Sequence, residues 1–140
     1  MTSLVAVRAQ LAWLCDAMIP ADQKGALPSA LQAGLPEVFV PRALALRDDW
    51  ATVFIDALAS LPAAAPAEPL AALRALPPMA QYVAGQIIAG AYLMNAEVRR
   101  VLRYPGQQAL QENTDFDEIV AAAERVQARG PCFVATPERP

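Results

Sequence analysis

Apolar residues recur at steps of three and four along most of the chain, and no stretch alternates apolar with polar residues over the length of a strand. Near the start, Leu4, Val7, Leu11, Leu14 and Met18 fall on one stripe of a helix. That helix runs to about Met18 and stops before Pro20, because the residue preceding a proline avoids the helical region. The following residues, ADQKGALPS, have the composition of a loop. A short helical turn, SALQAG, is predicted from Ser29 as N-cap to Gly34 as left-handed C-cap, with a second start at Pro36. Pro41 either kinks or splits the segment PEVFVPRALAL. Trp50, Val53, Phe54, Ala57, Leu58 and Leu61 form the apolar face of a further helix, whose first turn carries Asp48 and Asp49 where negative charge suits the helix dipole.

Beyond the connection LPAAAPAEP, Leu70, Leu73 and Leu76 predict a short helix ending at the Pro77-Pro78 pair, and Pro78 fits the first turn of the next. That next helix, MAQYVAGQIIAGAYLMN, is apolar nearly all round and is expected to run through the middle of the bundle. Gly85 and Gly90 each cost about 1 kcal/mol relative to Ala in a helix interior, so close backbone approach by a neighbour is the expected compensation. Asn95 reads as the cap of AEVRRVL, and Tyr104-Pro105-Gly106-Gln107 as a type II turn. Asp115 and Glu118 have capping-box spacing and open a last helix, with Phe116, Ile119, Val120 and Ala123 expected to face inward until Gly130-Pro131. The predicted fold is all-α: a single compact bundle of about five to seven short helices, one domain over residues 1–140, with residues 130–140 as an extended tail.

Composition supports a buried core without staples. The chain has 140 residues, 56% of them hydrophobic, and a domain of that size buries about 70% of the surface its unfolded chain exposes. Its 13 prolines gather at the predicted boundaries rather than inside helices. A net charge of −3, with no aromatic-interleaved stripe of Lys and Arg, argues against nucleic acid as a partner. The longest apolar run, Met79 to Met94, is shorter than the roughly 20 residues of a membrane span and contains Gln81 and Gln86, so no direct membrane span is expected. The first residues carry Arg8 in their middle and lack the pattern of a signal peptide, so the chain by its own sequence reads as cytoplasmic.

Catalytic chemistry is poorly provided for. With no histidine, every triad or dyad built on imidazole is excluded. Among carboxylates, Asp16 with Asp22 or Asp48 with Asp49 are the available pairs, but Asp22 reads as a loop residue and Asp48-Asp49 as a solvated helix start. Cys15 sits in an apolar helix as a small core residue, and Cys132, in the Gly-Pro tail, has no acid-base partner that sequence identifies. Neither cysteine has metal-ligand spacing, and a phosphate-binding glycine loop is absent. No catalytic, cofactor-binding or metal-binding residue is therefore assigned. Arg99, Arg100 and Arg103 beside Tyr104 form a patch suited to gripping carboxylates on another protein, or else a solvated helix end. The partner-binding candidates are Trp50, Tyr92, Arg99, Arg103, Tyr104 and Phe133, of which the aromatic ones read equally well as core.

Three stretches carry a resemblance: LCDAMIPADQKGALPSALQAGLPEVF, IIAGAYLMNAEVRRVLRYPGQ and the short tail. Their specific elements are the Asp-x-Met-Ile-Pro-x-Asp segment from Asp16 to Asp22, the step from Ala33 to Leu35, and the Tyr-Pro-Gly-Gln turn from Tyr104 to Gln107, which follows Asn95-Ala96-Glu97-Val98-Arg99. In this order they resemble the gluconate 2-dehydrogenase subunit 3 family, over some two thirds of the chain. The resemblance implies a non-catalytic subunit that wraps and stabilises a large flavin-dependent alcohol or sugar dehydrogenase of the glucose-methanol-choline (GMC) type. It implies FAD in that partner and no cofactor in this chain, and it leaves room for a cytochrome c subunit. Family members often supply a twin-arginine export signal; this sequence has none, so periplasmic location is expected only if the partner carries it out. Two other readings stay open: a stand-alone helical interaction or chaperone module with an unrelated partner, and a small enzyme using carboxylates or Cys132.

Overall fold

The computed structural model describes residues 2–106 and 115–130, which are helices, turns and loops without a strand. Two compact units make up the chain, Met1–Gly106 and Gln107–Pro140. Seven α-helices lie among the described residues, giving the all-α bundle of short helices that the periodicity predicts.

In the first unit, Ser3 caps a 3-10 turn, Leu4–Val7, that leads into α1, Arg8–Met18. Val7, Leu11, Leu14 and Cys15 are buried on one side of it. A loop over residues 19–34 follows, stitched by the Ala30 N–H to the Ile19 carbonyl and the Asp22 N–H to the Leu27 carbonyl. Its Ser29-Gln32 pair is a reciprocal capping box: Ser29 Oγ accepts from the Gln32 N–H, and Gln32 Oε1 accepts from the Ser29 N–H at 2.9 Å. Gly34, at φ 74°, ends the turn in the left-handed region as predicted.

Around Pro41 the chain is one unbroken helical run whose first turn is widened, so it is not split into two turns. Leu35–Phe39 forms one π turn, closed by the Val40 N–H on the Leu35 carbonyl, and α2, Val40–Leu46, starts directly after it. Pro41 then occupies the first turn of α2, directly after the π turn.

Helix α3, Asp48–Ala59, opens with Asp48 and Asp49 and buries Phe54, Ala57 and Leu58. Its C-terminal end is tied to α1: Trp13 Nε1 donates to the Pro62 carbonyl at 3.1 Å and Gln10 Nε2 to the Leu61 carbonyl at 3.4 Å. The short α4, Pro69–Arg74, packs on α1.

Helix α5, Pro78–Met94, has the predicted boundaries and the central place, with α2, α3, the π turn and the following α6, Ala96–Val101, against it. Ala80, Val83, Ala84, Ile87, Ile88, Ala91 and Tyr92 are its buried face. The expected close approach at its glycines is not found among the described residues, where a Cβ at Gly85 or Gly90 would meet nothing within 4 Å. Their neighbours Met79, Tyr82, Gln86 and Ala89 are exposed, so an apolar composition all round does not bury this helix all round.

Two polar side chains at the end of α5 close the unit. Tyr92 donates its hydroxyl to the Pro28 carbonyl at 2.6 Å, and Asn95 Nδ2 donates to the Ala33 carbonyl at 3.1 Å. The same Asn95 accepts through Oδ1 from the N–H groups of Glu97 and Val98, capping α6.

In the second unit, Asp115 caps α7, Phe116–Arg129, accepting from the N–H groups of Asp117 and Glu118. Within the described residues of this unit the predicted inward face is uncovered: α7 has no buried residue, Ala123 is exposed, and Phe116, Ile119 and Val120 are 73%, 53% and 55% exposed. Spacing defines an apolar stripe on a helix but carries no information on what covers it. The predicted extended tail beyond Gly130 lies outside the described residues.

Replacing Asn95 with Ala removes a cap and leaves the Ala33 carbonyl unmet, and is expected to cost about 2–3 kcal/mol in urea denaturation, against about 1 kcal/mol for Tyr92→Phe. Conversely, Gly90→Ala, at an exposed helical position with open space beside it, should raise stability by about 1 kcal/mol in the same assay.

Candidate partner-binding surface

The basic patch singled out in the sequence is built at the end of α6. The Tyr104 N–H bonds the Arg99 carbonyl and the Arg103 N–H bonds the Arg100 carbonyl, the two bonds of a Schellman closure. The residue such a closure puts in the left-handed region is usually Gly; here it is Arg103, at φ 52°. A side chain there costs on the order of 1–2 kcal/mol relative to ordinary helical backbone. Pro105 and Gly106 then turn the chain. Gly106 has φ 82°, as the third position of a type II turn requires, while Gln107 lies outside the described residues. A Cβ on Gly106 would stand 3.6 Å from Nη1 of Arg99, so the turn folds back over that guanidinium.

Two grooves meet at Arg99. One, of about 460 Å³, is lined by Ala96, Arg99, Arg100, Arg103, Tyr104 and Pro105. The other, of about 600 Å³, is lined by Arg42, Ala45, Leu46, Leu93, Met94 and Arg99. The first unit carries eight basic and eight acidic side chains, and four of the basic ones line these grooves, where no carboxylate does among the described residues. Arg100 is neutralised by Glu97, which receives hydrogen bonds from its Nε and Nη2. Those bonds hold the Glu97 carboxyl below the usual carboxylate range and push the Arg100 guanidinium up. Arg42, Arg99 and Arg103 make no ion pair among the described residues, and Nε of Arg99 is buried without a hydrogen-bond partner among them.

The six candidates divide accordingly. Arg99, Arg103 and Tyr104 come together on one surface. Trp50 belongs to another cluster, where the Arg47 guanidinium stacks 3.2 Å from its ring centroid and Tyr82 meets it edge-on at 5.7 Å. Arg47 is also held by both oxygens of Asp49, at 2.8 and 2.7 Å, so this cluster is satisfied internally. Tyr92 is a core residue, 7% exposed, with its hydroxyl already committed to Pro28. Phe133 lies outside the described residues. Sequence reasoning missed Arg42, Leu46 and Met94. Arg42 and Leu46 stand more than fifty residues before Arg99, and no local spacing signals that they line a groove with it.

Of the other groups weighed for chemistry, Cys132 lies outside the described residues. Asp22 Oδ1 accepts from the Lys24 N–H in a loop, and Asp49 is lowered from the carboxylate range by its bonds from Arg47. Among the described residues no group of three or more Cys, Asp or Glu side chains is placed to hold a metal ion, and no helix is long and apolar enough to cross a membrane. Cys15 is fully buried, and burial, helped by the charges of Glu37 and Asp16, pushes its thiol up to about 12.

A raised thiol keeps its proton in the folded state, so its stabilising contribution is whole below the usual thiol value near 9 and is lost as pH rises from there through about 12. In a Cys132→Ser chain, iodoacetamide at pH 8 should leave Cys15 unmodified until urea unfolds the protein. Stability should fall more steeply above pH 9 than it does in a Cys15→Ala chain.

No family model matches this chain, and no curated protein and no solved structure is similar enough to be matched with it.

Proposed function

We propose that the chain is a non-catalytic small subunit that binds and stabilises a large FAD-dependent sugar or alcohol dehydrogenase of the GMC type. The observation that carries this reading is the meeting of the stretches on which the resemblance rests. The loop after the Asp16-to-Asp22 segment and the Ala33-to-Leu35 step are bound by Tyr92 and Asn95, which lie within the stretch that leads to the Tyr104-Pro105-Gly106 turn. Residues far apart in sequence thus form one structural unit, and its outer edge is the surface with unneutralised arginines. Two ordered, separated motifs that cooperate in one tertiary feature weigh more than either alone.

On this reading FAD and the base that takes the substrate proton belong to the partner, and export, where it occurs, is of the complex. The small subunit acts by mass action: a partner bound to the native flavoprotein and not to its unfolded chain raises that protein's stability in proportion to the logarithm of its concentration over Kd. A cytochrome c subunit would be an additional member of the complex.

Affinity purification of the tagged chain from its native cell is the test. A yellow preparation with flavin absorption bands and a stoichiometric companion of the size of a large multidomain chain is the expected result, with the companion melting at lower temperature once the small subunit is removed. A colourless, monodisperse, cooperatively melting monomer would refute the proposal and favour an independent binding module.

A further inference from the structure

We infer that the two grooves meeting at Arg99 receive a short segment of a protein partner in which carboxylates flank aliphatic side chains. The inference takes the partner's identity from the accessory-subunit reading, but its chemistry comes from the surface alone. Charge complementarity sets the acidic part. Arg99 lines both grooves, with Arg103 in one and Arg42 in the other; among the described residues no carboxylate lines either, and Nε of Arg99 is shielded without an acceptor. A partly desolvated cation without a counter-ion is costly, and an arriving carboxylate, which guanidinium binds in a two-pronged geometry, offsets that cost. The apolar part is set by Leu46, 74% exposed, which lines the same groove as Met94.

Arg103 adds a separate argument. It occupies the backbone position of the α6 closure where Gly would sit without strain. Exchange to Gly should therefore tighten the fold while removing a charge from the groove, which separates a binding role from a structural one. Nucleic acid is the less favoured occupant, since the whole chain carries a net charge of −3 and the groove wall is aliphatic.

The test uses the full chain and a fluorescein-labelled peptide, Gly-Glu-Glu-Leu-Leu-Glu-Glu-Gly, followed by anisotropy. Binding is expected to weaken about tenfold in Arg99→Lys, which keeps the charge but loses the fork. It should weaken severalfold in Arg103→Gly while the melting temperature holds or rises, weaken on replacing the leucines by serine, and vanish on replacing the glutamates by lysine. Unchanged affinity in both arginine variants, equal binding of the lysine peptide, or tighter binding of an oligothymidylate of the same length would overturn the inference. The two proposals fail separately. A flavoprotein still held by the double variant Arg42→Glu, Arg99→Glu refutes the groove and leaves the accessory reading. Peptide binding that depends on Arg99 in a chain that captures no flavoprotein refutes the accessory reading and leaves the groove.

Discussion

The fold of the first unit depends on satisfying the backbone of a loop that has almost no regular structure of its own. Residues 19–34 must find partners for carbonyls that helix and sheet ladders would otherwise supply. Two of them, those of Pro28 and Ala33, are met from the C-terminal end of α5 by Tyr92 and Asn95. Asn95 uses both ends of its amide, one on the loop and one on the first turn of α6, so a single residue fixes the loop, the exit of α5 and the direction of α6. The groove surface follows from that, because Arg99 and Arg103 have their places only once α6 has its direction.

Much of this was legible in residue order. Pro78 and Asn95 set the two ends of α5, and Ser29, Gly34 and Asp115 act as the caps their chemistry predicts. These are local signals, decided by the backbone within a few residues. What was not legible is what lies across from each helix. Phe116, Ile119 and Val120 share a stripe in either case, and Gly85 and Gly90 look alike whether they admit a neighbour or face open space.

The candidate surface shows the same division. Arg99, Arg103 and Tyr104 are neighbours in sequence and so are legible there; Arg42 and Leu46 are not, because only tertiary packing brings them to the groove that Arg99 lines. Tyr92 was ambiguous for a physical reason: an amphipathic side chain suits an interface and a core with a polar partner equally, and the Pro28 carbonyl decides the matter. The π turn before Pro41 belongs to a third kind, where sequence requires an irregularity but does not choose between its forms.

The hydrogen bonds from Tyr92 and Asn95 span 64 and 62 residues, and that separation orders events on the ribosome. At roughly 5–20 residues per second, the loop after α1 waits on the order of three to thirteen seconds for the side chains that complete it. Through that interval α1 exists without α5, and Leu11, Leu14 and Phe54 have no finished core to enter. A nascent chain built this way spends its most vulnerable seconds with its apolar faces open, which makes the timing of synthesis, and the company present during it, part of how this small protein reaches its structure.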